Sequence, residues 1–286
     1  MTAVAFDAGG YKAGQREQWN RAAAAWDAWG GFLERWLGEA TEVMLDQARV
    51  GPETRVLDVA AGAGGQTLAA ARRTGPRGEV LATDISAGLV ELLRSNVAAE
   101  GVLHVRTAVA DAERLHVEAG AFDATICRLG LMFLPDLPVA LRGVRAALRP
   151  GGRVSAIVFA EPEHNPFFAI PIAVIRRRAR LAAPHPAAPG PFSLSHPGVL
   201  EQHLRAAGFV DLQAVSVAAP LRMASAAECV RFERESFAAL HELMSGLGEA
   251  GRRKAWAEIE LKLGEFQTRD GFRAPCRLLV VGGRRP

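Results

Sequence analysis

Lysine, tyrosine and cysteine are scarce in this 286-residue chain. Three lysines (Lys12, Lys254, Lys262) stand against 31 arginines, so the pI near 9.0 reflects arginine usage on a net charge of only +3. There is no long block of one sign. The one short basic cluster, Arg176, Arg177, Arg178 and Arg180, is too small for a nucleic-acid stripe. The three cysteines, Cys127, Cys229 and Cys276, are widely spaced and form no C-x-x-C pair. That argues against a disulfide framework and against a thiolate zinc site. Long apolar runs are missing too: residues 166–175 are the most lipid-like and are too short to span a bilayer. Residues 1–10 lack the basic and apolar regions of a signal peptide. The expected location is the cytoplasm, with no metal, no nucleic-acid partner and no stable membrane insertion. A monomer or homodimer is expected.

What is present is an ordinary globular composition. Hydrophobic residues make up 49% and charged residues 23%, enough to exclude disorder and to bury a core without staples. Residues 15–47 carry Trp19, Ala22, Trp26, Trp29, Leu33, Trp36, Ala40 and Val43 at spacings of three and four, a helical apolar stripe that Gly30-Gly31 should break. From Arg55 onward short apolar strands alternate with helices. Strands are expected at 55–60, 79–84, 104–110, 122–127 and 153–159. Ser86 and Asp136 read as helix caps, and Gly151-Gly152 as a helix stop. This rhythm implies a parallel, doubly wound sheet whose strand C-termini share one edge, where ligands bind. Residues 161–196 interrupt it with mixed loop and helix, including an Ala/Pro-rich loop at 182–191. A helix follows at 196–207, a strand at 209–218, a capping box at Ser225–Glu228, helices to about 244 and over 252–266, and a last strand at 274–281.

The chemistry concentrates in Val56-Leu-Asp-Val-Ala-Ala-Gly-Ala-Gly-Gly65. A strand runs into a turn of small residues that opens a helix, so backbone can approach a ligand closely. A dinucleotide would need G-x-G-x-x-G, but Thr67 stands at the third glycine position after Gly62 and Gly64. Asp58 would also repel a pyrophosphate and suits a cationic ligand. Asp58-Val-Ala-Ala-Gly62-Ala-Gly64 resembles motif I of class I S-adenosylmethionine (SAM) methyltransferases, D/E-x-G-x-G-x-G, with Ala60 replacing the first glycine. Asp84, 26 residues later, and Asp111 fall where that family places its next two acids. Residues 122–136 and Ala147-Leu-Arg-Pro-Gly-Gly152 match its fourth strand and the turn before its fifth. The resemblance spans about 58–159 and has the flavour of the ubiquinone/menaquinone-biosynthesis methyltransferases and their secondary-metabolite relatives.

The resemblance implies a Rossmann-like α/β fold: a doubly wound seven-stranded sheet, mostly parallel with the last strand antiparallel, plus a helical N-terminal lid and cap insertions. The implied division is a lid at 1–50, a SAM-binding core at 51–160, a cap insertion at 161–198, and the rest of the core at 199–286 with a helical insertion at 224–268. It implies SAM as cofactor and S-adenosylhomocysteine as product. Asp58, Ala60, Gly62 and Gly64 would bind the cofactor at motif I, Asp84 the ribose hydroxyls, Ile85 the adenine face, and Asp111 with the Ala112 N–H the adenine edge. Cys127 at the fourth strand belongs to the same set. Tyr11, Gln18, Trp19 and Trp26 are lid candidates for the cofactor site, against plain packing. Any one of the three acids alone reads better as a helix cap or solvated loop residue; their order along the chain favours the functional reading.

For catalysis, Arg128 and His164 are the candidates. Arg128 would orient a substrate oxygen or carboxylate, or else form a structural ion pair. His164, just after the fifth strand, and His196, at the start of a helix in the insertion, would act as a base or simply lie in a solvated loop or cap. The apolar 166–175 segment and the arginines after it are either a packed cap helix with a solvated basic end or a lipid-facing entrance. The expected reaction is methyl transfer to a carbon or oxygen of a small, largely apolar metabolite, aromatic, quinone-like or polyketide-like. The alternatives are a SAM-binding protein that catalyses a cyclisation or elimination without methyl transfer, and a nicotinamide-dependent oxidoreductase.

Overall fold

The computed structural model describes residues 6–183, 185 and 188–286. Residues 1–5 of the stretch searched for a signal peptide, and parts of the Ala/Pro-rich loop (184, 186–187), lie outside the described residues. Asp7 accepts the Gly10 amide at 3.0 Å and so caps helix α1, Ala8–Ala28. Helix α2, Gly30–Gln47, follows after a break at Trp29, one residue before the glycine pair. The two differ in burial. Helix α2 buries Leu33, Trp36, Leu37, Ala40, Met44 and Leu45, whereas α1 buries only Ala22 and Ala23.

The alternating segment forms β1 (Arg55–Val59), α3 (Gly65–Thr74), β2 (Glu79–Asp84), α4 (Ala87–Ala99), β3 (Val105–Val109), β4 (Phe122–Arg128), α5 (Leu137–Ala147) and β5 (Leu148–Phe159). The caps expected from sequence are made: Ser86 accepts the Leu89 amide and Asp136 accepts the Val139 amide, each at 3.1 Å. Then come α6 (Pro166–Arg178), α7 (Val199–Ala206), β6 (Val210–Ala218), β7 (Leu221–Met223), α8 (Ala226–Ser236), α9 (Ala238–Leu243), α10 (Glu249–Leu263), β8 (Gln267–Thr268), β9 (Gly271–Ala274) and β10 (Arg277–Arg284).

The main sheet has seven strands in the order β3-β2-β1-β4-β5-β10-β6. The pairs β3–β2, β2–β1, β1–β4 and β4–β5 are parallel, and β10 runs antiparallel to both β5 and β6. This is the expected fold. The winding reverses between β1 and β4, which opens a crevice at their C-terminal ends. Helices cover β1 on both sides, so Val56, Leu57, Asp58 and Val59 are all buried and no polar alternation is visible.

Three details depart from the sequence reading. A separate three-stranded sheet, β7-β9-β8, sits where only helix, loop and the start of the last strand are expected. The last strand of the main sheet starts at Arg277 rather than 274, because Pro275 lacks the N–H that a continuous ladder requires. The arginines in the last turn of α6 are not free for lipid head groups: Arg177 and Arg178 both bind Glu258 of α10, and Arg176 donates to the Ala182 carbonyl. Phe167, Phe168, Val174 and Ile175 are buried in the same helix, so α6 is a packed cap helix.

One aromatic cluster joins these parts. Trp36 of α2 lies 5.3 Å from Phe167, 6.2 Å from Phe232 and 6.4 Å from Phe159, ring centre to ring centre. Its indole N–H donates to the Ala219 carbonyl at 2.8 Å. Asn165, fully buried before α6, donates to the carbonyls of Ala160 and Arg277 and accepts the Arg277 amide, which fixes the cap to β5 and β10. Trp36→Ala is expected to cost about 3–5 kcal/mol. Trp36→Phe should cost about 1–3 kcal/mol, because the Ala219 carbonyl loses its donor. Urea midpoints of the two variants check the order.

Candidate functional site

The turn after β1 is organised from below by Asp58. Its side chain is wholly buried. Thr67 Oγ1 donates to one carboxylate oxygen at 2.6 Å, and Gln66 Nε2 to the other at 3.3 Å. Both donors sit in the first turn of α3, so Asp58 clamps the helix start to the strand end. Burial pushes the carboxyl up to about 7, against the opposing pull of the Thr67 and Gln66 hydrogen bonds. The expectation that Asp58 faces a ligand is therefore corrected: its oxygens turn inward to α3, and the side chain does not line the cavity above.

Above Asp58 the chain takes left-handed conformations at Ala60 (φ 57°), Gly62 (φ 60°) and Gly64 (φ 101°). At Ala60 this costs roughly 1–2 kcal/mol, because a Cβ crowds the backbone there. Leu129, after β4, is also left-handed at φ 60°. Gly130 makes room for Ala60: a Cβ at 130 would stand 2.5 Å from the Ala60 Cβ and 2.8 Å from Cys127 Sγ. Gly64 packs under Leu93 rather than on the cavity.

Asp84, at the end of β2, is 6% exposed and lines the cavity. Its Oδ2 accepts the Gly62 amide at 3.0 Å and its Oδ1 accepts the Ser86 amide at 2.9 Å. Burial raises its pKa, and the Ser86, Gly62 and Ile85 amides oppose the rise. Each oxygen keeps acceptor capacity beyond its one backbone donor. Ile85 lies beside it on the cavity wall. Asp111, after β3, is half-buried, accepts the Glu113 amide at 2.9 Å and pairs with Lys12 of α1 at 2.8 Å. Lys12 also pairs with Glu113 at 2.5 Å. Ala112 begins the short helical turn after Asp111.

A cavity of about 120 Å³ joins the ends of β1, β2 and β4, and Asp111 and Ala112 do not line it. Ala60, Gly62, Asp84, Ile85 and Arg128 form its floor, while Trp19 and Trp26 come from α1 and Phe133, Phe168 and Phe237 from the loop after β4 and the cap. Trp26 Nε1 lies 3.4 Å from where a Gly62 Cβ would project, an ordinary contact, so it is the left-handed φ of 60° that favours glycine there. Gln18 lines an adjoining hollow of about 70 Å³ together with Trp19, Phe168 and Phe237. A larger, open hollow of about 590 Å³ lies between Trp29 and Phe32 and the small sheet, and contains none of these strand-end residues.

Several expected residues fall elsewhere. Tyr11 packs against Phe6 at 5.5 Å between ring centres and does not line the cavity; burial raises its phenol. Cys127 is buried beneath Gly130, its thiol pushed up to about 12 by burial. His164 is exposed and lies with Cys276 and Arg277 at the β10 side, away from the cavity. The chain turns at Pro162 and carries His164 outward, which corrects its candidacy as a base. His196 is likewise exposed, 3.9 Å from Glu161. Sequence reading missed Gln66, Gln15, Gly130, Met132 and Phe159 as cavity residues. Gln66 carried a signal, as the residue directly after the glycine turn. Among the described residues no group of three or more His, Cys, Asp or Glu could hold a metal, and no helix is long and apolar enough to cross a membrane.

Residues 56–152 match the family model for a methyltransferase domain. That span contains Asp58, Asp84, Asp111 and Arg128. A ubiquinone/menaquinone biosynthesis C-methyltransferase from Idiomarina loihiensis is 35% identical over 119 residues, 41% of this chain and 47% of that protein. The chain thus spans about half the length of the curated relatives it matches. Among solved structures, the YcgJ protein of Bacillus subtilis superposes with a TM-score of 0.58 at 20% identity, covering 87% of this chain and 98% of that one. The [4+2]-cyclase SpnF superposes with a TM-score of 0.53 at 19% identity, covering 87% and 80%. These superpositions show the shared fold.

Two outcomes test the geometry. Asp58 has its folded pKa raised above its unfolded value, so the native state holds the extra proton between about pH 4 and 7. Stability should fall as pH rises through that window, and Asp58→Asn should flatten the decline in melting temperature between pH 5 and 8. Gly130→Ala should destabilise the fold by about 1–3 kcal/mol through overpacking. Adding Ala60→Gly should return part of that loss in urea titrations, since it removes one of the two crowding partners.

Proposed function

We propose that this chain binds SAM along the strand ends and transfers its methyl group to a small, largely apolar acceptor. The observation that carries the reading is the order of groups along one sheet edge. From β3 to β2 to β1 stand Asp111, Asp84 and the turn from Ala60 to Gly62. SAM presents an exocyclic amine, a ribose diol and a sulfonium in the same order. The residues fit such a ligand: Asp84 offers two acceptor oxygens toward the cavity, and Ala60 and Gly62 leave space against the backbone.

Bound SAM would supply a methyl group already activated on sulfur, so the protein need only bind, align and exclude water. Asp84 holds the diol, Trp19 and Trp26 close the site, and Phe133, Phe168 and Phe237 keep it dry. An aromatic face near the sulfonium adds a cation–π attraction of about 0.5–2 kcal/mol. Asp84 and Arg128 are the ionisable side chains among the cavity-lining residues, and in this reading Asp84 is occupied by the diol. An acceptor that brings its own nucleophile suits this site best: an electron-rich ring carbon, an enolate or a phenolate. The curated relatives bear the name C-methyltransferase, which agrees with a carbon acceptor.

The decisive measurement uses methyl-labelled SAM with enolisable or electron-rich aromatic acceptors. One S-adenosylhomocysteine should appear for each methylated product. Product formed without S-adenosylhomocysteine would support the reading of a SAM-binding protein that catalyses a cyclisation without methyl transfer; one fold neighbour is named a [4+2]-cyclase. Asp84→Ala should weaken S-adenosylhomocysteine binding by about 100-fold or more, from two lost charge-assisted hydrogen bonds. Calorimetry on a variant shown to be folded by circular dichroism checks this. In thermal shift, S-adenosylhomocysteine and not NAD should raise the melting temperature with concentration.

A further inference from the structure

A hollow of about 590 Å³ lies between the start of α2 and the sheet β7-β9-β8, and it shares no lining residue with the crevice. Trp29, Phe32 and Arg35 stand three residues apart, so they share one face of the helix. Trp29 and Phe32 are half-buried and, with Met223 and Phe272 from the sheet side, form an apolar wall. Trp29 is pinned in place. Its indole N–H donates to Glu235 at 2.8 Å, its ring lies 5.2 Å from that of Phe232, and the Arg231 guanidinium sits 5.1 Å over it. Behind the wall Phe32 stacks on Trp36 at 5.9 Å, and Trp36 lines the crevice.

The rim of the hollow is basic. Arg222 of β7 and Arg273 of β9 are directly opposite each other in antiparallel register. Side chains so placed share a face of the sheet with Cβ atoms about 5 Å apart, and like charges there repel. Arg35 lines the same hollow from α2. Among the described residues none of these three guanidiniums has an ion pair or a side-chain hydrogen bond. Elsewhere arginines find acids: Arg73 pairs with Glu42 and Asp46, and Arg177 and Arg178 with Glu258. Two acids also line the hollow. Glu228 is already engaged, by the Ala224 amide at 2.7 Å and by Arg231 at 3.5 Å. Asp270 is exposed and forms no ion pair among the described residues. The hollow therefore keeps an excess of positive charge.

An oxyanion between Arg222 and Arg273 would remove their repulsion and take forked N–H donors from both. A bare inorganic anion would leave the aromatic wall uncovered, and a neutral ring would leave the arginines unpaired. One molecule with both parts satisfies the whole surface. We infer that this hollow is a second ligand site, for an aryl oxyanion: an aromatic ring bearing a phosphate or carboxylate. The ring lies against Trp29 and Phe32, the oxyanion lies between Arg222 and Arg273, and Arg35 adds a third cation. The hollow has the size of small-molecule sites, which run from about 300 to 1,000 Å³. The assignment does not depend on the cofactor reading, since the crevice lies on the other side of the Phe32–Trp36 layer.

The test is calorimetry on the full chain with 1-naphthyl phosphate, 1-naphthoate, inorganic phosphate and 1-naphthol. At least one aryl anion should bind saturably, about 10-fold or more tighter than inorganic phosphate and naphthol. Whichever aryl anion binds better identifies the oxyanion. Replacing Arg222→Gln and Arg273→Gln together should weaken that anion by about 10-fold or more, and Asp270→Asn should tighten it by about 2- to 5-fold. Arg222 and Arg273 are exposed, so the double variant should fold. Without ligand its urea midpoint should equal or exceed that of the parent chain, because a like-charge pair is gone. Unchanged affinity in the double variant would put the anion elsewhere and overturn the assignment. So would equal binding of naphthol, or no saturable binding of either aryl anion up to about 5 mM.

Discussion

Two backbone amides, from Gly62 and Ser86, converge on the Asp84 carboxylate, and the crevice depends on that convergence. The bonds tie the turn after β1 to the end of β2 across the sheet edge. They reinforce the backbone bond from the Ala61 amide to the Thr83 carbonyl, at 2.9 Å. Asp58 performs the complementary task one layer below, holding the start of α3 through Thr67 and Gln66. Both carboxylates are buried, and an ionised carboxylate is tolerated there only because donors are already in place around it. The two acids thus differ in role despite similar sequence settings. One faces the cavity and one faces the helix.

Helix α1 is held by polar contacts as well as by the packing of Trp19 and Trp26 on Phe133 and Phe237. Lys12 reaches Asp111 and Glu113 beyond β3. Asn20 accepts from the Ser86 hydroxyl at 2.6 Å and the Gly88 amide at 3.2 Å at the start of α4. Asn96 of α4 donates to Asp27 at 2.6 Å and to the Ala63 carbonyl at 3.0 Å. Helix α2, by contrast, is part of the core through Trp36. The N-terminal segment is one stripe in sequence but divides physically at Trp29 into a cover and a core helix.

Much of the sheet was legible because buried parallel strands read as short apolar runs and their helices carry recognisable caps and stops. Ser86, Asp136 and Ser225 cap as their residue types require. The small sheet was not legible: strands of two to four residues are too short to show a period. The break at Phe237 between α8 and α9 likewise lies inside one continuous helical pattern. At the site, the order of Asp84 and Asp111 could be read, but not the direction of Asp58. Spacing does not reveal whether a side chain at a strand end turns up or down. The signal was nonetheless present in Thr67. The same residue that breaks the dinucleotide pattern supplies the hydroxyl that draws Asp58 inward. His164 was misplaced for a related reason, since a turn of only three residues reverses its outlook.

The thin burial of α1 has a consequence for how the molecule breathes. Of its 21 residues only Ala22 and Ala23 are fully buried, and Trp19 and Trp26 are half-buried against Phe133 and Phe237, so its apolar anchorage rests on few side chains. Elements of that kind open with far smaller free energy than the global transition. The sheet and α2 can stay intact while α1 lifts. Its amides should therefore exchange with solvent as a unit of their own, and traffic into the crevice need not perturb the core.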